Sequence, residues 1–124
     1  MDDLIIKPTE RLLSVSLVPE TGKFVFEGRS LPEDAKDFFK PIVRWLEQYA
    51  HSPAPQTECS FKMEYFNSSS RKCLVDVLSV LNSIHKEGHA VTIIWYFEEG
   101  DDELKEMGEE YQKEYDLDFQ VRPY

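Results

Sequence analysis

The chain has 124 residues, 41% hydrophobic and 31% charged, which is the make-up of one soluble globular domain with a single core. Its formal net charge of −10 argues against nucleic acid as a partner, because that binding rests on Lys and Arg neutralising phosphates. Met1-Asp2-Asp3-Leu4 lacks the basic and apolar regions of a signal peptide, and no apolar run reaches membrane-spanning length, so the expectation is a cytoplasmic protein with no membrane insertion.

Residues Arg11 to Val18 alternate, with Leu13, Val15 and Leu17 on one side and Ser14 and Ser16 on the other, the period of a half-exposed strand. Pro19-Glu20-Thr21-Gly22 supplies turn chemistry, and a second strand over Lys23 to Glu27 completes a hairpin. Gly28 to Pro32 reads as a break. From Glu33 onwards Phe38, Ile42, Trp45, Leu46 and Tyr49 recur at helical spacing. Pro41 lies inside that pattern and has no amide to donate, so the regular helix either begins near Lys40 or kinks at the proline; the kink is the preferred reading.

After a linker over His51 to Gln56, Cys59 to Phe66 alternates as a strand with Phe61, Met63 and Tyr65 on one face. A helix follows from the serines to Glu87, burying Leu74, Val77, Leu78, Leu81 and Ile84, with Gly88 suited to end it. Val91 to Phe97 is almost continuously apolar and reads as a central strand covered on both faces. Leu104, Met107, Tyr111 and Tyr115 form the apolar stripe of a third helix, in which Gly108 costs about 1 kcal/mol relative to Ala and so points to close approach to the sheet. Leu117 to Val121 closes the chain as a short strand. The order β-β-α-β-α-β-α-β predicts a single α/β domain over residues 1–124, a mixed sheet packed with three helices. Between Glu98 and Asp118 stand eleven acids and two bases, a net of −9, which places nearly all the acidity on the third helix; a solvated face is the default reading.

The period changes at Asn67-Ser68-Ser69-Ser70, where short side chains can accept hydrogen bonds from the unpaired amides of a first helical turn. Arg71 and Lys72 follow in that turn, where the helix dipole disfavours bases by about 0.3–1 kcal/mol each when exposed. A local choice that opposes stability calls for a functional reason. A phosphate on a serine there would meet backbone amides, the positive end of the dipole and two cations.

No catalytic residue, metal ligand or cofactor site is expected. His51, His85 and His89 lack ligand spacing, and no glycine-rich phosphate loop precedes a helix. Glu98, Glu99, Asp101 and Asp102 do not match a calcium loop, and Asp101 and Asp102 read as capping the third helix. Cys59 and Cys73 are read as reduced. Cys73, near a helix N-terminus and two bases, is either a thiol of lowered pKa or a buried structural residue; the second is preferred.

The run Tyr65-Phe66-Asn67-Ser68-Ser69-Ser70, followed by a Leu/Val amphipathic helix, a Trp-Tyr strand and an acidic final helix, resembles the SiaC family of bacterial regulatory phosphoproteins over nearly the whole chain. In that family the hydroxyl residue after the Asn is usually Thr and is phosphorylated; here it is Ser68. The resemblance implies a non-catalytic signalling protein modified on Ser68, ahead of Ser69 and Ser70, by a partner kinase and restored by a PP2C-type serine/threonine phosphatase. It also implies that the unmodified form binds and stimulates a diguanylate cyclase, raising cyclic di-GMP and favouring biofilm formation. Asn67, Ser68, Ser69, Ser70, Arg71 and Lys72 are then the expected partner surface. The element order also resembles the STAS domain of anti-sigma factor antagonists, in which a phosphorylatable hydroxyl likewise starts a helix after a central strand. That makes a partner-switching antagonist the alternative, with a small enzyme using Cys73 as a third reading.

Overall fold

Eight of the nine elements form where the periods call for them. The computed structural model describes residues 1–124. The strands are β1 (Leu4–Ile6), β2 (Ser14–Val18), β3 (Lys23–Ser30), β4 (Gln56–Phe66), β5 (Ala90–Phe97) and β6 (Asp118–Pro123). The helices are α1 (Ala35–Tyr49), α2 (Ser68–Lys86) and α3 (Asp102–Glu114). One six-stranded sheet runs in the order β1-β2-β3-β4-β5-β6, antiparallel through β3 and parallel from β3 to β6. The mixed α/β architecture is the one predicted; the three-residue β1 was too short to announce itself.

Because the strand order never reverses, right-handed crossovers put all three helices on one face of the sheet, and no topological switch point opens a ligand crevice. That face carries the core. Val15, Phe26, Phe61 and Trp95 line up in register across it, as do Leu17, Phe24, Cys59, Ile93 and Phe119. Phe26 stacks on Phe61 with centroids 4.9 Å apart, and Phe61 leans on Trp95 at 5.6 Å. Each such side chain contributes about 1.5–3 kcal/mol by burial.

The opposite face is bare of helices and presents Ser16, Val25, Ser60, Ile94 and Gln120 in one row. This corrects the reading of Val91 to Phe97: β5 is second from the edge and covered on one face only. Its run looked doubly buried because Ile94 is shielded on the open face by its neighbours, being 8% exposed.

Two further departures have local causes. The expected break at Gly28 is a bulge: β3 continues to Ser30, Gly28 takes φ +107°, and Gly28 pairs with Met63 while Arg29 pairs with Tyr65, leaving Glu64 as an extra residue on β4. That extra residue inverts the phase at the end of β4, so Tyr65, expected inside, is 50% exposed and Phe66 enters the core. In α1 the helix is continuous from Ala35, so Pro41 lies in its interior and not at its start.

Two other glycines stand as read. Gly88, at φ +94°, comes just after the end of α2. A Cβ on Gly108 would lie 2.4 Å from Trp95 Cδ1, which is the close approach anticipated. The same Trp95 donates its Nε1–H to Leu104 O at 2.9 Å, fixing α3 on the sheet.

Candidate functional site

The carboxyl ends of the four parallel strands carry the N-termini of all three helices, and the α2 junction sits in the middle of that edge. Asn67 is the N-cap: at φ −80° and ψ 173° its side chain accepts from Ser70 N at 2.9 Å. Its carbonyl takes the first helical bond, from Arg71 N at 3.1 Å. A cap of this kind contributes about 1 kcal/mol.

Behind the cap, Ser30 at the end of β3 holds the junction. Its carbonyl accepts from Asn67 N at 3.1 Å, and its hydroxyl lies 2.8 Å from Ser70 Oγ, both side chains being buried. The three serines therefore divide. Ser70 is an internal anchor at 1% exposure, whereas Ser68 and Ser69 are exposed. The N–H groups of Ser68 and Ser69, at the first two helical positions, have no carbonyl a turn earlier to bond. Nor does α2 have an acid in its first turn, so the positive end of its dipole is uncompensated.

The two bases also divide. Arg71 pairs with Glu103 of α3, and its guanidinium lies 5.6 Å from the centroid of the Phe66 ring. It is engaged, and does not stand free for a phosphate as its position in the first turn implied. Lys72 instead borders an open depression of about 380 Å³ shared with Ser68, Ser69 and the start of α1, where Lys36 stands with Glu33 and Asp34. Lys36 belongs to the electrostatics of this edge but gave no sign in the sequence, because only the packing of α1 on α2 brings it there. A phosphate on either exposed serine meets amides, a helix dipole and lysines from two helices.

Cys73 lines the same depression, but burial pushes its thiol pKa up, with Asp76 adding to the effect, Lys36 opposing it and Asp34 adding again. The lowered pKa considered for Cys73 is thus corrected, and with it goes the physical basis for a thiolate nucleophile. Cys59, fully buried in β4, is pushed up further by the same cause. No group of three His, Cys, Asp or Glu side chains is placed to share a metal ion, and no helix is long and apolar enough to cross a membrane.

A one-sided α/β sheet whose helix N-termini share an edge, with two exposed hydroxyls beside unpaired amides, is a small domain with an edge suited to hold an anion. The model of the SiaC family of regulatory phosphoproteins matches residues 6–124, and the chain belongs to that family. It is 24% identical over 124 residues, covering 100% of this chain and 98% of the relative, to an uncharacterised protein of Pseudomonas aeruginosa strain UCBPP-PA14. Among solved structures, SiaC of Pseudomonas aeruginosa superposes with a TM-score of 0.91 at 25% identity, with all of both chains covered. A second, of the diguanylate cyclase SiaD in complex with its activator SiaC from the same organism, matches with a TM-score of 0.92 at 24% identity over 98% of this chain and 100% of the other.

Proposed function

We propose that residues 1–124 act in the cytosol as one non-catalytic signalling domain, switched by phosphorylation of Ser68. The observation that carries this is the division of the serines: Ser68 directly follows the cap, is exposed and lies over unpaired amides, while Ser70 is spent on the Ser30 anchor. A kinase writes the phosphate and a PP2C-type phosphatase removes it. The unmodified form binds and stimulates a diguanylate cyclase, raising cyclic di-GMP and favouring biofilm formation. Support comes from the fold shared with a SiaC described as the activator of such a cyclase.

The Asn67 to Lys72 edge is the partner surface, with Ser70 contributing from below through the anchor and not by contact. Phosphate there adds nearly two negative charges and three acceptor oxygens, which spoils charge and shape complementarity without refolding the domain.

Intact mass and phosphopeptide mapping of protein recovered from its own cells test the site, with Ser68→Ala alongside. One phosphate that maps to Ser68 and is lost in the variant is the expected result. Phosphate on Ser69 moves the site, and none in cells that express the kinase removes the switch. For the output, Ser68→Asp should bind the cyclase at least tenfold more weakly than wild type, the effect of about 1.4 kcal/mol; equal binding would sink electrostatic release.

A further inference from the structure

We propose that Arg71 is a phosphate-driven latch: in the unmodified protein it ties the start of α2 to α3 through Glu103, and a phosphate on Ser68 captures it and sets Glu103 free. The inference rests on Ser68 being the modified residue and adds what the modification moves.

Three observations and one point of chemistry carry it. The Arg71–Glu103 pair joins two helices that otherwise have separate supports, α2 packing on α1 and β5, α3 on β5 and β6. The pair is open to water, the side chains being 42% and 75% exposed, so it is weakly held and readily exchanged. Arg71 is three residues beyond Ser68 in the same helix, the spacing at which side chains on a helix surface are neighbours. Finally, a phosphate dianion offers three oxygens and nearly two charges to the guanidinium fork where Glu103 offers a single carboxylate.

The exchange changes the edge by more than the phosphate itself. Asp101, Asp102 and Glu103 crowd the start of α3, and Arg71 pairs with the last of them. Once Arg71 turns to the phosphate, Glu103 loses its cation and faces solvent, so one modification alters the surface of two helices. Asp101 still caps Leu104 N at 3.1 Å and Trp95 still holds Leu104 O, so α3 stays folded on the sheet.

The test uses full-length protein with phosphoserine built in at position 68 during translation, which makes it independent of whether cells modify that residue. The readouts are the Arg71 Nε–H resonance, amide exchange over residues 101–105, and the phosphorus-31 titration of the phosphate. Phosphorylation is expected to move the Arg71 resonance and raise exchange over 101–105 several-fold. In Glu103→Gln the pair is already broken, so the phosphate-dependent rise should vanish while the protein remains folded. The phosphate's second pKa should be lower in wild type than in Arg71→Gln. An Arg71 resonance and 101–105 exchange that are the same with and without the phosphate overturn the latch, the phosphate then being held by Lys72 and Lys36. Failure of the Ser68 assignment shows separately, in the mass of protein recovered from cells.

Discussion

The N-termini of α2 and α3 lie on the same edge of the sheet and are capped alike, Asn67 to Ser70 N at 2.9 Å and Asp101 to Leu104 N at 3.1 Å, yet their first turns are opposites. That of α3 carries Asp102 and Glu103, which agree with its dipole; that of α2 carries no acid and begins with two exposed hydroxyls. One end has built in its negative charge permanently. The other has the amides and the dipole and carries no acid, which is the arrangement the proposed phosphate would complete.

Each end also has an anchor beneath it, and the anchors are where the comparison breaks hardest. Gly108→Val drives a side chain into Trp95 and should cost about 1–3 kcal/mol or more, read as a lower urea midpoint with an unchanged slope. Ser70→Ala orphans the buried Ser30 hydroxyl and should cost about 1–3 kcal/mol, whereas removing both hydroxyls with Ser30→Ala/Ser70→Ala should recover much of it. A double variant as unstable as the sum of the singles would mean the two hydroxyls are not partners. At the caps, Asn67→Ala and Asp101→Ala should each cost about 1 kcal/mol in thermal unfolding, a matched pair if the two caps are equivalent. Smallest is Ser68→Ala, expected within about 0.5 kcal/mol of wild type despite its proximity to Ser70.

Alkaline pH addresses the core beneath both ends. Cys59, Cys73, Tyr111 and Tyr115 are all pushed above their ordinary values, mainly by burial. A raised acid of this kind is neutral in both states at low pH, so stability is flat there. It falls as pH climbs above 9.0 for the thiols and 10.0 for the phenols, where the unfolded chain ionises first. Urea midpoints that hold up to about pH 8.5 and then decline would agree; a rise over that range would contradict the assigned directions.

Legibility in the sequence was a matter of range. Periodicity located α2 and its terminal glycine, because those depend on neighbours a turn away, but it read Ser68 as the plain cap where Asn67 takes that place; Gly108 betrayed its contact because a glycine in a helix needs a reason. The partners of the site did not show. Ser30 lies 40 residues from Ser70 and Glu103 lies 32 from Arg71, so neither the anchor nor the engaged base left a local pattern. The bulge at Glu64 was hidden for another reason: one added residue reverses which side chains face inward, and alternation cannot reveal its own interruption.

The mount of Ser68 is built from an amide, two hydroxyls and a backbone carbonyl: Asn67, Ser70, Ser30 and the Ser30 oxygen. None of these groups gains or loses a proton at any pH a cell experiences. A change of acidity within that range therefore leaves the platform unmoved, and the geometry offered at the start of α2 does not depend on the acidity of the medium.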